Sequence, residues 1–212
     1  MGSLIGIDEA GRGSVLGPLI ISLCLCERRY EKKLNGLVKT DSKHMTRMER
    51  ERIYDALKNF CVFRIVEVSA EELNILMDTM SLNDIEAKKM AQLAKNVNGD
   101  IMIDLPDRYS WIFNRRMETF GLTKFQAQHK ADENYPIVGA ASVYAKLIRD
   151  SRIDEIKENL GIDFGSGYPS DEKTREALRN YKNELKPYIR FKWKTLETIK
   201  QTKLFDYSEP RK

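Results

Sequence analysis

Hydrophobic residues in this chain fall into short runs separated by longer, more polar segments. The runs at 3–8, 18–26, 61–69 and 99–104 predict β-strands, because short apolar runs rich in β-branched residues are typical of buried strands. The segment "KFQAQHKAD" (124–132) predicts a fifth strand that ends in a polar turn. Strands therefore recur along the first two thirds of the chain.

Apolar residues at helical spacing lie between and after these runs. They predict helices at 47–58 and 82–97, a long helix that begins at Pro136, and a polar helix at 170–184 capped by Ser170. The stripe of the long helix consists of Ile137, Ala140, Ala141, Tyr144, Ala145 and Ile148. Small residues in this stripe would let the helix pack closely on a sheet. Strands followed by strand–helix alternation predict a layered α/β domain.

Composition adds few constraints. Hydrophobic residues make up 42% and charged residues 32% of the 212, with a net charge of +4. This is typical of a soluble globular protein and does not indicate a chain that coats polyanions. Cys24, Cys26 and Cys61 show no zinc spacing, and we interpret them as small buried hydrophobes in a reducing compartment. Without a signal-peptide pattern or a membrane-length apolar run, we expect a cytoplasmic protein.

Carboxylates follow three of the predicted strands. Asp8 and Glu9 end the first strand, Asp104 ends the strand at 99–104, and Asp132 follows the "FQAQH" strand. Carboxylates that converge at strand ends would repel one another unless a cation neutralised them, and oxygen ligands favour Mg²⁺ or Mn²⁺. Such a cluster suits metal-assisted phosphoryl chemistry. The alternative is that these are ordinary solvated acidic residues, and spacing alone leaves it open.

A glycine-rich turn, Gly11-Arg12-Gly13, follows the paired carboxylates. "GRGSVLG" lacks the GxGxxG spacing of a dinucleotide fingerprint, and two carboxylates beside a pyrophosphate would be unfavourable. The segment "GIDEAGRG" (6–13) instead resembles the signature of ribonuclease HII, the type 2 ribonucleases H. Other motifs in the expected order are "DSK" at 41–43, "HKAD…AASVYAKLIRD" at 129–150 and "GYPS" at 167–170.

The resemblance extends from residue 4 to about residue 185, and "SLNDIE" (81–86) resembles the archaeal and eukaryotic branch. Two positions depart from the family pattern. Ser14 stands where proline is usual, and Ser170 stands where threonine is common. Neither departure removes a group that carries chemistry.

The resemblance implies a ribonuclease H-like mixed sheet flanked by helices, with a small helical C-terminal extension. It implies a catalytic domain at 1–165, the extension at 166–199 and a tail at 200–212. It also implies two-metal-ion hydrolysis of the phosphodiester 5′ to a ribonucleotide, in RNA–DNA hybrids or at single ribonucleotides in duplex DNA. The products would be 3′-OH and 5′-phosphate ends, as in primer removal and ribonucleotide excision repair.

Residue roles follow from the same resemblance. Asp8, Glu9, Asp104 and Asp132 would be the catalytic, metal-binding carboxylates. The substrate-binding residues would be Gly11, Arg12, Gly13, Lys39, Ser42, Lys43, Lys146 and Tyr168. The glycines would let the backbone approach the minor groove, where 2′-hydroxyls are displayed, and the tyrosine would pack beside the ribonucleotide. Lys146 and Arg149 are expected on the polar side of the long helix.

The C-terminal segment has two features of its own. "KPYIRFKWKTLETIKQTK" (186–203) interleaves basic and aromatic residues, which suits either a duplex-binding surface or docking of Phe191 and Trp193 onto the domain. "QTKLFDY" resembles a peptide that binds the DNA sliding clamp, through Gln201, Leu204 and Tyr207, although Ser208 replaces the usual second aromatic. The alternative is a polar tail without a partner.

Two other functions are alternatives to this enzyme. A branched-DNA resolvase of the same fold has no need of a 2′-hydroxyl reader. A non-catalytic, clamp-recruited scaffold has no need of clustered negative charge where phosphate approaches. The complete motif set in one chain predicts a monomer.

Overall fold

The structure is a computed structural model that describes residues 2–38 and 45–196. Its strands are β1 (Ser3–Ala10), β2 (Leu19–Glu27), β3 (Cys61–Val68), β4 (Asp100–Asp104) and β5 (Gln126–Gln128). Its helices are α1 (Glu31–Leu37), α2 (Arg47–Leu57), α3 (Ala70–Leu76), α4 (Leu82–Ala94), α5 (Ser110–Thr119), α6 (Ala131–Asn134), α7 (Pro136–Leu160) and α8 (Glu172–Asn180). Short 3₁₀ turns lie at Arg28–Tyr30 and Lys186–Tyr188.

The five strands form one mixed sheet in the order β3-β2-β1-β4-β5. β1 pairs antiparallel with β2 and parallel with β4, and β4 pairs parallel with β5. The predicted α/β class, a mixed sheet flanked by helices, is confirmed. Because β1 lies in the middle of the sheet, its side chains are covered on both faces.

Helices cover the two faces of the sheet. On one face, Ile5, Ile7 and Ile21 pack with Ile85 and Met90 of α4. On the other, Cys24 and Cys26 pack with α7 residues, and the three cysteines are buried free thiols as expected. α7 lies very close to the sheet, because a Cβ at Gly6 would stand only 2.2 Å from the carbonyl oxygen of Ile137.

A further core ties the C-terminal segment to the connection between β1 and β2. Val15 and Leu16 pack with Phe164, Leu185 and Ile189. The backbone N–H of Arg190 donates to the carbonyl of Val15 at 3.0 Å. The expected domain boundary at residue 165 stays a prediction.

Several predicted boundaries differ from the structure. β1 continues through Glu9 to Ala10, because both residues keep their pairing with β2. The helix predicted at 82–97 ends at Ala94, since Lys95 is extended and Asn96 has φ +64°. The helix predicted at 170–184 is shorter, Glu172–Asn180, and the prediction of Ser170 as its cap is wrong. Asp171 caps it by accepting a bond from the N–H of Lys173 at 3.1 Å.

The segment at 124–132 and three short helices also differ from expectation. Only Gln126–Gln128 pairs as a strand; Lys130 then adopts φ +57°, and Asp132 lies on a short helix. α1, α3 and α5 had no predicted counterpart. Within the described ranges, none of the helices combines the length and the hydrophobicity that crossing a membrane would require.

Candidate active site

Asp8 and Asp104 lie at the same level on neighbouring strands. The parallel register pairs Ile7 of β1 with Ile103 of β4, so the next residue on each strand is an aspartate. Asp104 is the last residue of its strand. Parallel strands present their carboxyl ends at one edge of a sheet, where α/β folds place their sites. The register of β1 with β4 therefore places these two carboxylates side by side, as predicted.

Asp8 and Glu9 point to opposite faces of the sheet, since successive strand residues alternate. Asp8 shares the face of Gly6, which is covered by α7, and its carboxyl group is buried there. Glu9 faces α4, where the carboxylate of Glu86 is its near neighbour. The paired acidic residues thus approach the edge of the sheet from two sides.

Asp132 reaches the site from α6. The backbone N–H of Ala131 donates to Oδ1 of Asp104 at 2.7 Å, which ties the first turn of α6 to the end of β4. Asp132 is buried, and its charge is close enough to raise the pKa of Asp8. The structure therefore brings all four predicted carboxylates to one end of the sheet.

The carboxylates of this cluster destabilise one another's charged forms. Burial, and then the charge of Asp104, raise the pKa of Asp8 from 3.8 to about 7. Burial raises the pKa of Glu9 well above its usual range, and the charges of Asp8 and Glu86 add to this. Negative charge at this edge is therefore costly until a cation compensates it.

The donor set fits a hard divalent cation. All four groups are carboxylates, and Oε2 of Glu9 is buried without a hydrogen-bond partner. Among residues 2–38 and 45–196, no three Asp, Glu, His or Cys side chains already stand as a ligand set for a metal ion. Asp8 and Asp104 each use one carboxylate oxygen to accept a backbone bond, from the N–H groups of Glu9 and Ala131.

The two glycines of the Gly11-Arg12-Gly13 turn are needed for different reasons. Gly11 is buried with φ +87°, and a Cβ there would lie 2.6 Å from Nε of Arg149 and 2.8 Å from the carbonyl oxygen of Pro18. Gly13 is exposed, and among the described residues a Cβ there would come near the Tyr168 ring alone, at 3.9 Å. Gly11 is therefore required for packing, whereas Gly13 leaves an open backbone edge.

The side chain of Arg12 turns toward α4. Its Nε donates to Glu86 at 3.0 Å, and its Nη2 donates to Oδ1 of Asn83 at 2.6 Å. Glu86 is fully buried, and burial raises its pKa to about 7 although the charge of Arg12 opposes this. Ser14, at the position where proline is usual, closes the turn: its single O–H donor lies 3.1 Å from the carbonyl oxygens of both Gly11 and Leu16.

Tyr168 stands beside the turn, partly covered by Arg149. The guanidinium carbon of Arg149 lies 4.6 Å from the centre of the tyrosine ring, and its Nη2 donates to the carbonyl of Ser166 at 2.8 Å. The expectation that Arg149 lies on the polar side of the long helix is wrong: only 4% of it is exposed. Arg149 fills the space between Gly11 and Tyr168 and supports both.

The remaining predicted substrate contacts divide into two groups. Lys146 is half-buried on α7, one turn beyond Ser142. Lys39, Ser42 and Lys43, and the clamp-peptide residues Gln201, Leu204 and Tyr207, lie outside the described residues.

The basic C-terminal segment docks onto the domain through Trp193 and not through Phe191, and its duplex-binding role stays a prediction. Trp193 packs against two of the cores and stacks on Arg190, 4.9 Å from its guanidinium carbon, as docking requires. Phe191 remains 45% exposed, so it does not serve as an anchor. Arg190, counted among the surface basic residues, is 0% exposed.

Sequence reasoning missed two residues that hold the site together, Glu86 and Arg190. The signal for Glu86 lies in "SLNDIE", where an acidic residue falls between the apolar residues Ile85 and Ala87, both buried on α4. No comparable pattern marks Arg190, because its basic neighbours Lys192 and Lys194 are exposed.

Known proteins of one family resemble this chain over most of its length. The sequence profile described as ribonuclease HII matches residues 5–196. The ribonuclease HII of Nanoarchaeum equitans is 43% identical to this chain over 194 residues, which cover 89% of this chain and 92% of the relative.

Two solved structures share the fold. The PCNA:RNase HII complex from Archaeoglobus fulgidus matches with a TM-score of 0.83 and 35% identity, over 90% of this chain and 95% of that one. The ribonuclease H2 of Pyrococcus horikoshii OT3 matches with a TM-score of 0.82 and 32% identity, over 94% and 98%. With its sheet edge of four carboxylates and its Gly-Arg-Gly turn, this chain belongs to the ribonuclease HII family.

Proposed function

We propose that this ribonuclease H hydrolyses the phosphodiester 5′ to a ribonucleotide, both in RNA–DNA hybrids and at single ribonucleotides within duplex DNA. The products would be a 3′-OH end and a 5′-phosphate end, as primer removal and ribonucleotide excision repair require. One observation carries the proposal. The aspartate pair at the edge of the sheet, Asp8 and Asp104, stands at the strand end that leads directly into the turn, where exposed Gly13 borders the ring of Tyr168.

Asp8, Glu9, Asp104 and Asp132 would hold Mg²⁺ or Mn²⁺, in our proposal two ions. When bound, such ions supply an activated water and compensate the charge of the scissile phosphate and the leaving oxygen. The raised pKa values of Asp8 and Glu9 support this assignment, because these groups gain most from a compensating cation. The carboxylates' own part would be to hold these ions at the end of the sheet, because carboxylates without a cation would repel the phosphate.

The Gly-Arg-Gly turn would recognise the 2′-hydroxyl. The edge at Gly13 carries no side chain, so the backbone can approach a minor groove closely. Tyr168 is half-buried at the same edge, where its ring can contact a sugar. The ring would sense the neighbouring deoxyribose, which lacks a hydroxyl, whereas the turn would select the hydroxyl of the ribonucleotide.

We further propose that the chain acts as a monomer and that the segment 201–207 recruits a DNA sliding clamp. Support comes from the Gln201, Leu204 and Tyr207 pattern and from the similarity to an archaeal ribonuclease HII that was solved with PCNA.

The test is cleavage of an end-labelled DNA duplex that carries one ribonucleotide. An all-DNA duplex and an RNA–DNA hybrid run beside it, with Mg²⁺, Mn²⁺ or EDTA. We expect a cut on the 5′ side of the ribonucleotide in either metal and no cut in EDTA or in the all-DNA duplex.

Other outcomes discriminate among the alternatives. Cleavage of the hybrid alone would keep the ribonuclease H activity and contradict junction reading by Gly13 and Tyr168. Cleavage of the all-DNA duplex or of a branched DNA would favour a resolvase. Absence of cleavage with every metal would favour the scaffold.

A further inference from the structure

Arg190 is a buried cation that contacts the Gly-Arg-Gly turn from behind. Its side chain is 0% exposed, and it belongs to the C-terminal segment, more than 170 residues away from the turn in sequence. Nε donates to the carbonyl of Gly17 at 2.9 Å, and Nη1 donates to the carbonyls of Gly11 at 2.6 Å and Arg12 at 3.4 Å. One guanidinium therefore holds both ends of the loop between β1 and β2.

The partners of this guanidinium are unusual for a buried arginine. Within residues 2–38 and 45–196 it forms no ion pair, and its Nη2 has no hydrogen-bond partner. Trp193 stacks on it, which excludes water from its outer side. The charge of Glu86 acts on Arg190 from beyond ion-pair distance and offsets the cost of burial only in part, so this buried charge depends mainly on its three carbonyl contacts.

The contacts have a direct geometric consequence for the turn. In a trans peptide the carbonyl and the following N–H point in opposite directions. Because Arg190 draws the carbonyls of Gly11 and Arg12 inward, the N–H groups of Arg12 and Gly13 face away from it. In the described part of the chain, neither of these N–H groups donates a hydrogen bond. They are two free donors beside the open edge at Gly13.

We infer that Arg190 is a positioning residue for substrate selection: it orients the N–H groups of Arg12 and Gly13 so that they can donate to a ribonucleotide 2′-oxygen. The C-terminal segment thereby controls discrimination between ribonucleotide and deoxyribonucleotide, without contacting the nucleic acid through this side chain. This inference rests on the proposed function, since it concerns how the same turn selects its substrate.

Arg190 is suited to this task because of its shape as well as its charge. The planar fork reaches carbonyls from Gly11 to Gly17, whereas a lysine ammonium is a single point donor on a flexible stem. Burial lowers the pKa of Arg190 to about 9, so the group remains protonated at neutral pH. A lysine at this position would keep the charge but could not donate to the carbonyls of Gly11 and Gly17 at the same time.

The experiment measures binding to two duplexes that differ in one 2′-hydroxyl, with Ca²⁺ in place of Mg²⁺ to suppress cleavage. Wild type, Arg190→Lys and Arg190→Ala are compared by fluorescence anisotropy. We expect affinity for the all-DNA duplex to be nearly unchanged, whereas the preference for the ribonucleotide duplex falls roughly tenfold, as loss of one or two oriented hydrogen bonds predicts. Methylguanidinium should restore part of the preference in Arg190→Ala, and methylammonium should not.

Leu185→Ala is the matched control, because Leu185 is buried in the C-terminal core that packs on the same loop, and its apolar side chain can donate no hydrogen bond to the turn. We expect it to lower thermal stability while it keeps the wild-type preference. An equal loss of preference in Leu185→Ala, or an unchanged preference in both Arg190 variants, would overturn the inference. If the wild type itself neither prefers nor cleaves the ribonucleotide duplex, the proposed function fails first.

Discussion

Arg12 and Glu86 form an ion pair between the Gly-Arg-Gly turn and α4. Nε of Arg12 lies 3.0 Å from Oε2 of Glu86, whose side chain is fully buried, while 36% of the Arg12 side chain remains exposed. The side chain of Arg12, the central residue of the turn, therefore points toward α4. Together with the carbonyl contacts of Arg190, this pair holds the turn from two sides.

Glu86→Ala should weaken this attachment. It leaves the Arg12 guanidinium without its charged partner, and we expect the free energy of unfolding to fall by about 1–3 kcal/mol, less than for a fully buried pair because Arg12 is partly exposed. Glu86→Gln, which keeps an acceptor for Arg12 and removes a charge beside Glu9, should lose much less. Urea denaturation of the three proteins measures the difference. Equal losses for both variants would contradict this expectation, because they would mean that the charge of Glu86, which both variants lack, carries the whole effect, and that its packing and its hydrogen bond to Arg12 add nothing.

Asp8→Asn should abolish cleavage and preserve the fold. The amide is isosteric with the carboxyl group but cannot supply negative charge to a cation, so we expect at least a hundredfold loss of rate, roughly the effect of removing one key electrostatic group. Anisotropy in Ca²⁺ should show duplex binding largely intact. Asp55→Asn, an exposed change on α2, is the control. Loss of folding in Asp8→Asn would show that Asp8 is structural.

Stability without metal should fall as the pH rises. The pKa of Asp8 is about 7 in the folded chain against an ordinary 3.8, so the folded state holds a proton that the unfolded state releases. Between about pH 4 and pH 8 the unfolded state is therefore increasingly favoured, by about 1.4 kcal/mol for each unit by which the pKa is raised. Melting temperatures in EDTA should show this slope.

The same measurement on Asp8→Asn separates Asp8 from other titrating groups. The variant cannot ionise at this position, so its slope should be shallower and its melting temperature at pH 8 should exceed that of wild type by several degrees. Mg²⁺ should raise the melting temperature of wild type more than that of the variant. Identical slopes for the two proteins would contradict the raised pKa of Asp8.

Gly11→Ala should lower stability, whereas Gly13→Ala should weaken substrate binding. Gly11 has φ +87° and no room for a Cβ, so its substitution should cost roughly 1–3 kcal/mol of stability through strain and displacement of Arg149. Gly13 faces open space, so its substitution should leave stability nearly unchanged and raise KM for the ribonucleotide duplex. Thermal melts and steady-state kinetics of both variants decide this. A wild-type KM in Gly13→Ala would argue against backbone approach at that residue.

Deletion of residues 200–212 should spare catalysis and weaken clamp binding. The segment carries Gln201, Leu204 and Tyr207 and none of the four carboxylates. Rates on a short ribonucleotide duplex should stay near wild type, while affinity for a sliding clamp, measured by calorimetry, should fall at least tenfold. Tyr207→Ala tests the same contact by a point change. Unchanged clamp affinity in both would exclude this peptide as the recruiting segment.

Local pattern determined a large part of this protein. Apolar runs predicted four strands to within a few residues, since strand formation at a buried position depends mainly on the side chains of the run itself. The small residues of α7 predicted its close contact with the sheet. The motif "GIDEAGRG" around Asp8 and Glu9 identified the family, because two carboxylates followed by a Gly-Arg-Gly turn form a specific pattern of consecutive residues that can be read without a structure.

Only the tertiary structure decided how the turn is held and which way each charge faces. Strand alternation separates Asp8 from Glu9, and the register of β1 with β4 sets Asp8 level with Asp104. Arg190 looked like one more surface cation in a basic segment, yet it is buried against carbonyls far away in sequence. Its burial depends on contacts between distant parts of the chain, and a local pattern of hydrophobic and polar residues carries no record of such contacts.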